Sequence, residues 1–283
     1  MKKLSQFLTA LRFFIFKLYL YSFRKSIIDK ANRKVQKKII FRSKYGFNIN
    51  LNLAQDVDRY FYMGMFEVET IWFFKKLLRP DLILFDIGAN IGIFSLIAAK
   101  KLNNNGKIYA FEPSDRVYNQ FEENIKLNSF NNIFLYKVGM SDKAGSLEFH
   151  VCADDAYNSL GSVPLREILY TTEIQVSSID EFCKENDITR IDVLKIDTEG
   201  AESSVIEGGK NMLKGDNAPI IFSEYNRHVQ SIGNLMKIES LLREYGYELY
   251  ELWFGLFRKF TSESRTNDII ALKEYHVKRY INN

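Results

Sequence analysis

The hydrophobic and polar positions of this chain change period several times, and the clearest change lies near the end of its first third. Residues 82–87 form a short apolar run of the kind found in buried parallel strands. Gly88 and Gly92 follow, and apolar residues then continue over 91–99 as in a buried helix. This succession predicts a nucleotide-binding corner, because glycine lets a ligand approach the backbone and the helix N-terminus presents unpaired N–H groups.

The pattern continues with two more strands and the helix between them. Residues 107–111 and 133–138 are strand candidates, and Val117, Phe121 and Ile125 repeat every four residues, as on one face of a helix. The succession strand, helix, strand, helix, strand predicts the first half of a doubly wound sheet.

The remaining apolar blocks complete an α/β pattern. Further strands are predicted over 47–53, 146–151, 173–177, 191–197, 220–222, 247–252 and 268–272. Further helices are predicted over 58–78, 205–213 and 234–245, with a short one from Asp180. We therefore predict an α/β fold with a doubly wound, Rossmann-like, mostly parallel sheet that ends in a hairpin-like pair.

The composition, and the cysteines in particular, indicate the kind of cellular compartment. The apolar fraction of 46% is ordinary for a globular protein. The two cysteines, Cys152 and Cys183, lack the spacing of a metal site. We expect both to be core thiols in a reducing compartment.

Charge divides the chain into two parts. Residues 1–45 hold 13 Lys or Arg and one acid, Asp29, for a net +12, which leaves −8 for the rest of a chain that carries +4 overall. We therefore predict a basic helical arm over 1–45 and a folded domain over 46–283. A basic arm on an acidic body favours an anionic surface as a partner. A solubilising tail explains the same charge equally well, and we expect no nucleic-acid partner.

The arm also contains an aromatic-rich apolar stretch over 4–23. Its length matches the roughly 20 residues that cross a bilayer. Arg12 and Lys17 lie inside it, and a charge at a helix centre costs about 2.5–3.5 kcal/mol on insertion. No secretory cleavage site follows. We expect a cytoplasmic protein whose arm lies peripherally in the inner face of the membrane; a helix packed on the body or on a partner subunit is the alternative.

Acidic residues stand at the end of each predicted parallel strand. They are Asp86, Glu112, Asp142, Asp197 with Glu199, and Glu224. Ligands of open α/β sheets bind at these carboxyl ends. A dinucleotide site would show G-x-G-x-x-G, whereas this chain has D-x-G-x-x-x-G, and a carboxylate is a poor neighbour for pyrophosphate. It suits a ligand with an ammonium group, such as S-adenosylmethionine, and Glu112 has the usual position of the acid that binds ribose hydroxyls.

Four segments together resemble the FkbM family of methyltransferases. They are residues 85–92, 111–113, 141–142 and 194–202, and the K-I-D-x-E-G-A-E element in the last is the most specific. Residues 64–67 are similar to that family's lead-in helix. The resemblance covers roughly 60–252 and implies the class I S-adenosylmethionine-dependent fold with its seven-stranded, mostly parallel sheet. It also implies methylation of hydroxyls on a small molecule, sugar, glycan or natural product.

The resemblance also implies roles for individual residues. The cofactor-binding residues it assigns are Asp86, Gly88, Asn90, Gly92, Glu112, Ser141, Asp142 and Asp197. Among these, Glu112 would bind the ribose diol, Asp142 would reach the adenine amino group, and Asp197 would lie nearest the sulfonium. Glu199 and Glu202 would hold the turn, since acids suit the first turn of a helix.

Transfer of a methyl group to a hydroxyl needs a group that takes the proton. Asp197 and Glu224 are the best candidates, and His228, four residues past Glu224, is a third. We assign no metal site from the sequence, although Asp197 with Glu224 could hold a divalent ion that polarises the hydroxyl.

Two other functions are compatible with parts of the sequence. A nicotinamide-dependent oxidoreductase would use the ribose-binding acid but lacks its third glycine. A catalytically silent, membrane-recruited binding module would retain the fold alone, and the completeness of the acidic set argues against it. Titration with S-adenosylhomocysteine against NAD separates the first from methyl transfer.

Overall fold

The computed structural model describes residues 11, 38–160, 167–227, 230–264 and 266–281. The strands within these ranges are β1 (Lys38–Arg42), β2 (Asn48–Asn52), β3 (Ile83–Ile87), β4 (Lys107–Phe111), β5 (Ile133–Tyr136), β6 (Gly139–Met140), β7 (Gly145–Cys152), β8 (Ile168–Ser177), β9 (Val193–Ile196), β10 (Ile220–Glu224), β11 (Glu248–Trp253), β12 (Leu256–Lys259) and β13 (Asp268–Leu272). The helices are α1 (Asp56–Tyr62), α2 (Val68–Leu77), α3 (Ile93–Leu102), α4 (Asp115–Asn128), α5 (Ile179–Glu185), α6 (Glu202–Gly208), α7 (Lys210–Lys214), α8 (Ile232–Glu244) and α9 (Glu274–Tyr280).

Eight strands form the main sheet in the order β12-β11-β13-β10-β9-β3-β4-β5. The five strands from β10 to β5 are parallel, and β13, β11 and β12 add antiparallel pairs at one edge. The chain builds outward from β3 in one direction and then from β9 in the other, so the strand order reverses between β3 and β9. Ligands of such sheets bind at this reversal. The predicted doubly wound, Rossmann-like class I architecture is confirmed.

The sheet has one strand more than the seven predicted. Trp253 pairs with Leu256, so β11 and β12 form a hairpin across a two-residue turn. The turn residues Phe254 and Gly255 both have positive φ, at 50° and 74°. A bulky residue in a left-handed turn is rare, and Phe-Gly is not the Asn-Gly or Asp-Gly signal by which such a hairpin is found in a sequence.

Four of the five parallel strands, β3, β4, β9 and β10, are buried on both faces. Leu84 and Ile108 belong to one apolar cluster, with Phe74 of α2 and Leu96 of α3. Their chain neighbours belong to a second cluster on the other face, which helices α5, α6 and α8 cover; examples are Phe85, Tyr109, Phe182, Val205 and Ile238. Successive strand residues point to opposite faces, which is why these strands read as continuous apolar runs.

Two of the predicted helices are each divided in two. The pattern over 58–78 forms α1 and α2, and the break contains Gly64 at φ 69° and Glu67 at φ 36°. The pattern over 205–213 forms α6 and α7, which meet at Gly209. Glycine costs about 1 kcal/mol in a helix interior relative to alanine, so consecutive Gly208 and Gly209 favour a break.

The β1–β2 hairpin begins inside the predicted arm, with Lys38 paired to Asn52. The backbone N–H groups of Asn48 and Asn50 donate to the side chains of Asn128 and Asn124 on α4, each at 2.7 Å. Residues 38–45 therefore fold with the body, and a boundary at residue 45 falls within this hairpin. Within residues 1–37 of the predicted arm, the structure describes Leu11 alone. The other residues of the apolar stretch over 4–23 lie outside the described residues. Within the described part of the chain, no helix is long and apolar enough to cross a membrane.

A smaller three-stranded sheet, β6-β8-β7, follows the third parallel strand. It contains the two extra strands predicted over 146–151 and 173–177. Beyond β7, a single helical turn at Asp155–Tyr157 lies against α1, where Asp154 accepts a hydrogen bond from the backbone N–H of Asp56 at 3.2 Å. This contact brings the polar loop after β7 to the carboxyl edge of the main sheet. Cys152 and Cys183 are both buried thiols.

Candidate active site

A cavity of about 280 Å³ opens at the carboxyl ends of β3, β4, β9 and β10. Among the described residues that line it, eight carry carboxylates: Glu67, Asp86, Glu112, Asp155, Asp197, Glu199, Glu224 and Asp268. Lys195 is the single basic residue among the described residues of this lining. An excess of acidic groups disfavours a phosphate or pyrophosphate ligand and favours a cationic one.

The turn between β3 and α3 forms one wall of this cavity. Gly88 has φ 71°, and a Cβ built on it would lie 1.8 Å from the backbone oxygen of Asp197. Asp86 is 1% exposed and accepts hydrogen bonds from the backbone N–H and the hydroxyl of Ser95, at 3.1 and 2.6 Å. Asp86 thus holds the first turn of α3 in place. Gly92 lies outside the lining, since it packs against the ring of Phe121.

Glu112 lies where β4 ends and is 5% exposed. Its two carboxylate oxygens accept hydrogen bonds from the backbone N–H groups of Asn90 and Ser114, each at 2.9 Å. Burial raises the pKa of Glu112 to about 7, although the two N–H groups oppose the shift. A carboxylate oxygen accepts more than one hydrogen bond, so Glu112 can bind ligand hydroxyls while it joins the two turns.

Lys195 sits in β9 at the centre of the acidic lining and is 6% exposed. Its ammonium donates to Asp197 Oδ2 at 2.6 Å and lies 4.8 Å from the centre of the Phe94 ring. Burial alone lowers the pKa of Lys195, but the carboxylates of Asp197, Glu67 and Asp86 outweigh it and raise that pKa above its ordinary value. Lys195 is therefore charged, and it orients Asp197.

The turn after β9 is held by Glu202, which is fully buried. One of its oxygens accepts from the backbone N–H and the hydroxyl of Thr198, both at 2.8 Å, and Gly200 N–H also donates to it. The other accepts from the side chain of Gln230 at 2.7 Å. The prediction that Glu202 holds this turn is confirmed. The turn places Asp197 and Glu199 in the lining of the cavity.

Glu224 and Asp268 form the far wall. They face each other in antiparallel register between β10 and β13. Burial, reinforced by Glu199 and Asp197, raises the pKa of Glu224 well above its ordinary value. Burial also raises the pKa of Asp268 to about 6. A cation entering the cavity would favour the charged forms of both carboxyl groups and so oppose these shifts.

Several residues that were predicted to form the site do not line the cavity, and other residues line it that were not predicted. Ser141 and Asp142 lie next to the lining residues Gly139 and Met140 but are not part of the lining. The backbone N–H of Ser141 pairs with Ser177, and Asp142 is exposed. Their adenine-binding role stays a prediction. His228 lies outside the described residues. Four charged lining residues, Glu67, Asp155, Lys195 and Asp268, were not predicted as site residues.

Replacing Gly88 should disrupt this site more than any other glycine substitution at the turn. In Gly88→Ala the new methyl group meets the backbone of Asp197 and the residue keeps an unfavourable positive φ, so β3 and β9 must separate where they form the cavity. We expect ligand binding to be lost and the midpoint of urea unfolding to fall.

Two matched controls separate the causes. Gly46→Ala adds a methyl to a glycine at φ 89° with only ordinary contact, to Lys100, and Gly145→Ala adds one where nothing lies within 4 Å. If all three variants unfold at the same urea concentration, close packing at Gly88 is not what shapes the site.

Comparison with known proteins gives a consistent result. Residues 86–249 match the family described as Methyltransferase FkbM domain, which is more than half of the chain. The 2-O-methyltransferase NoeI of Sinorhizobium fredii is 28% identical over 162 residues, 52% of this chain and 65% of its own length. The hexuronic acid methyltransferase AglP of Haloferax volcanii is 27% identical over 148 residues, 50% of this chain and 56% of its own.

The chain thus spans between about half and two thirds of these two relatives. Among solved structures, methyltransferase FkbM from Methylobacillus flagellatus is similar, with 17% identity and a TM-score of 0.47. That match covers 72% of this chain and 47% of the other.

Proposed function

This chain belongs to the FkbM methyltransferase family, and on that premise we propose that it methylates a hydroxyl of a sugar, glycan or natural product with S-adenosylmethionine. The observation that supports this most is the acidic cavity at the strand reversal. It combines a buried carboxylate placed for ribose hydroxyls, Glu112, with a lining suited to a ligand that carries an ammonium and a sulfonium. The same carboxylates make the cavity a poor site for the pyrophosphate of a nicotinamide cofactor.

The residues present fit such a cofactor. Asp86, Gly88 and Asn90 line the wall for the methionine part, and Glu112 stands ready for the ribose. When bound, the cofactor supplies the activated methyl group, so the protein contributes binding, orientation and removal of a proton.

Proton removal falls to carboxylates on the β9 and β10 ends. Asp197 lines the cavity with its side chain 30% exposed, and Lys195 fixes its orientation from one side. Glu224 lines the same cavity from β10 and holds a proton more readily than an ordinary glutamate. We propose that Asp197 takes the proton from the acceptor hydroxyl and that Glu224 lies beside Asp197.

The named relatives support a sugar hydroxyl as the acceptor, since one is called a 2-O-methyltransferase and the other a hexuronic acid methyltransferase. The test is incubation of the protein with cofactor labelled on the methyl group and a cell-envelope extract, followed by mass spectrometry of labelled products. We expect label on a glycan or glycolipid hydroxyl. Label confined to protein or nucleic acid would contradict the proposed acceptor class.

Glu112→Gln should weaken S-adenosylhomocysteine binding at least tenfold. The substitution removes one carboxylate oxygen and the negative charge, while the remaining carbonyl still accepts one of the two backbone N–H groups. The lost hydrogen bond costs about 1–3 kcal/mol of stability, which the fold should tolerate. Titration calorimetry measures the affinity. Glu122→Gln, on the exposed side of α4, serves as the control, and equal affinities for both variants would remove Glu112 from the ribose site.

The basic arm is proposed to attach the enzyme to an anionic membrane surface, near a lipid-linked acceptor. Each basic residue near such a surface contributes about 1 kcal/mol, which salt screens, whereas apolar burial is not screened. Flotation with anionic liposomes should therefore recover the full chain, less of it at high salt. A truncation to 37–283, which retains the β1–β2 hairpin, should stay unbound. If neither protein floats at low salt, the arm is a packing or oligomerisation element.

A further inference from the structure

Three carboxylates converge where the turn after β9 meets the end of β10. One oxygen each from Asp197, Glu199 and Glu224 lies within 4.8 Å of the others. We propose that these three residues bind a hard divalent cation of the Mg²⁺, Mn²⁺ or Ca²⁺ class. The proposed role of that cation rests on the proposed function, since it would hold and polarise the acceptor hydroxyl.

Glu224 provides an observation that is independent of this clustering. It is 8% exposed, and its Oε2 atom is buried with no hydrogen-bond partner among the described residues. Buried polar atoms are nearly always paired, and an unpaired one costs free energy comparable to a lost hydrogen bond. An exposed acidic cluster would be solvated by water, whereas this oxygen of Glu224 is buried and lacks a hydrogen-bond partner among the described residues. A bound cation would supply one.

The surrounding charges strengthen the case for a cation. Lys195 is the basic residue of the described lining, and its ammonium is already bonded to Asp197 Oδ2 and shared with Asp86 and Glu67. On the other side, Asp268 stands opposite Glu224 and adds further negative potential. Within the described lining, the one ammonium is therefore engaged with Asp197, Asp86 and Glu67 and not with Glu224.

The chemistry of the donors selects the kind of cation. All three ligands are carboxylate oxygens, which suit Mg²⁺, Mn²⁺ and Ca²⁺ rather than metals that prefer thiolate or imidazole. These cations keep bound waters when few protein ligands are present, and such positions can be exchanged for substrate oxygens. A pair of neighbouring sugar hydroxyls is a ligand of that type.

The probe is Mn²⁺, measured by electron paramagnetic resonance of the free ion during titration of full-length protein stripped with chelator. We expect one equivalent of Mn²⁺ to be bound and Mg²⁺ or Ca²⁺ to displace it. Glu224→Gln should bind Mn²⁺ at least tenfold more weakly. Glu207→Gln, an exposed residue of α6 paired with Lys237, should bind as the wild type does. Glu199→Gln is the second variant, should Glu224→Gln fail to fold.

Absence of stoichiometric Mn²⁺ binding to the wild type would overturn the proposal, as would unchanged binding by the folded glutamine variants. Titration of the stripped protein with S-adenosylhomocysteine keeps the two proposals apart. If the protein binds S-adenosylhomocysteine but not Mn²⁺, only the metal site is refuted. If it binds Mn²⁺ but not S-adenosylhomocysteine, the metal site is supported and the proposed function is contradicted.

Discussion

Lys195→Met is expected to lower the free energy of unfolding by about 3–5 kcal/mol, the scale for removing one partner of a buried charged group. The ammonium of Lys195 compensates Asp197, Glu67 and Asp86 within a wall that is largely closed to water. Methionine fills a similar volume, so the loss reports charge rather than packing. Urea unfolding at pH 8 measures it.

The same variant should lose less stability at pH 5. Asp86 and Glu67 have raised pKa values, so the folded state binds their protons more readily than the unfolded state does. Stability linked to such groups is present at low pH and is lost as pH rises through their folded pKa values. Without Lys195 these pKa values rise further, and the penalty grows from pH 5 to pH 8.

Lys214→Met is the matched control for this charge effect. Lys214 pairs with Glu244 at 2.8 Å on the surface, where its side chain is 36% exposed, so its removal should cost about 1 kcal/mol or less at either pH. Equal losses for Lys195→Met and Lys214→Met would show that the buried carboxylates do not need Lys195.

Asp197→Asn is expected to reduce methyl transfer by about 10²–10⁴-fold, the usual contribution of a positioned acid or base. The amide keeps the shape of the side chain but cannot take a proton from the acceptor. Lys195 keeps Asp86 and Glu67 as counter-charges, so the protein should fold. Initial rates with labelled cofactor measure the effect, and the affinity for S-adenosylhomocysteine should change far less than the rate.

Asp187→Asn controls for removal of an acid outside the cavity. Asp187 is exposed and has φ 52°, a conformation that asparagine adopts readily. The Asp187→Asn variant should transfer methyl groups at the wild-type rate. A near-normal rate for Asp197→Asn would instead transfer the proton-accepting role to Glu224 or to His228.

The fold could be predicted because its central strands are buried on both faces and so appear as apolar runs. Asp86, Glu112 and Asp197 each lie at or next to the end of such a run, and the structure brings them to one cavity as predicted. This success rests on a simple geometric rule, since the carboxyl ends of parallel strands all meet at one edge of the sheet.

The same rule explains why Asp268 was missed. β13 runs antiparallel to β10, so its first residue, not its last, lies at the edge where the cavity opens. A search for acids that follow strands passes over an acid that begins one. The position of β13 within the sheet depends on contacts distant in sequence, and a single sequence does not display them.

Lys195 and Glu67 were missed for a different reason. Lys195 lies inside the apolar strand β9, and no role was predicted for it. Glu67 has a left-handed backbone conformation and lies between α1 and α2, within a segment that was predicted as continuous helix. Their significance comes from charge compensation between three separate segments, which depends on tertiary structure.

The cavity at the strand reversal is where we expect S-adenosylmethionine to bind. Parallel calorimetric titrations of the full-length protein with S-adenosylhomocysteine and with NAD test this claim most directly. We predict one-to-one binding of S-adenosylhomocysteine, at least tenfold weaker in Glu112→Gln, and no measurable binding of NAD. Binding of NAD with no response to S-adenosylhomocysteine would contradict the claim.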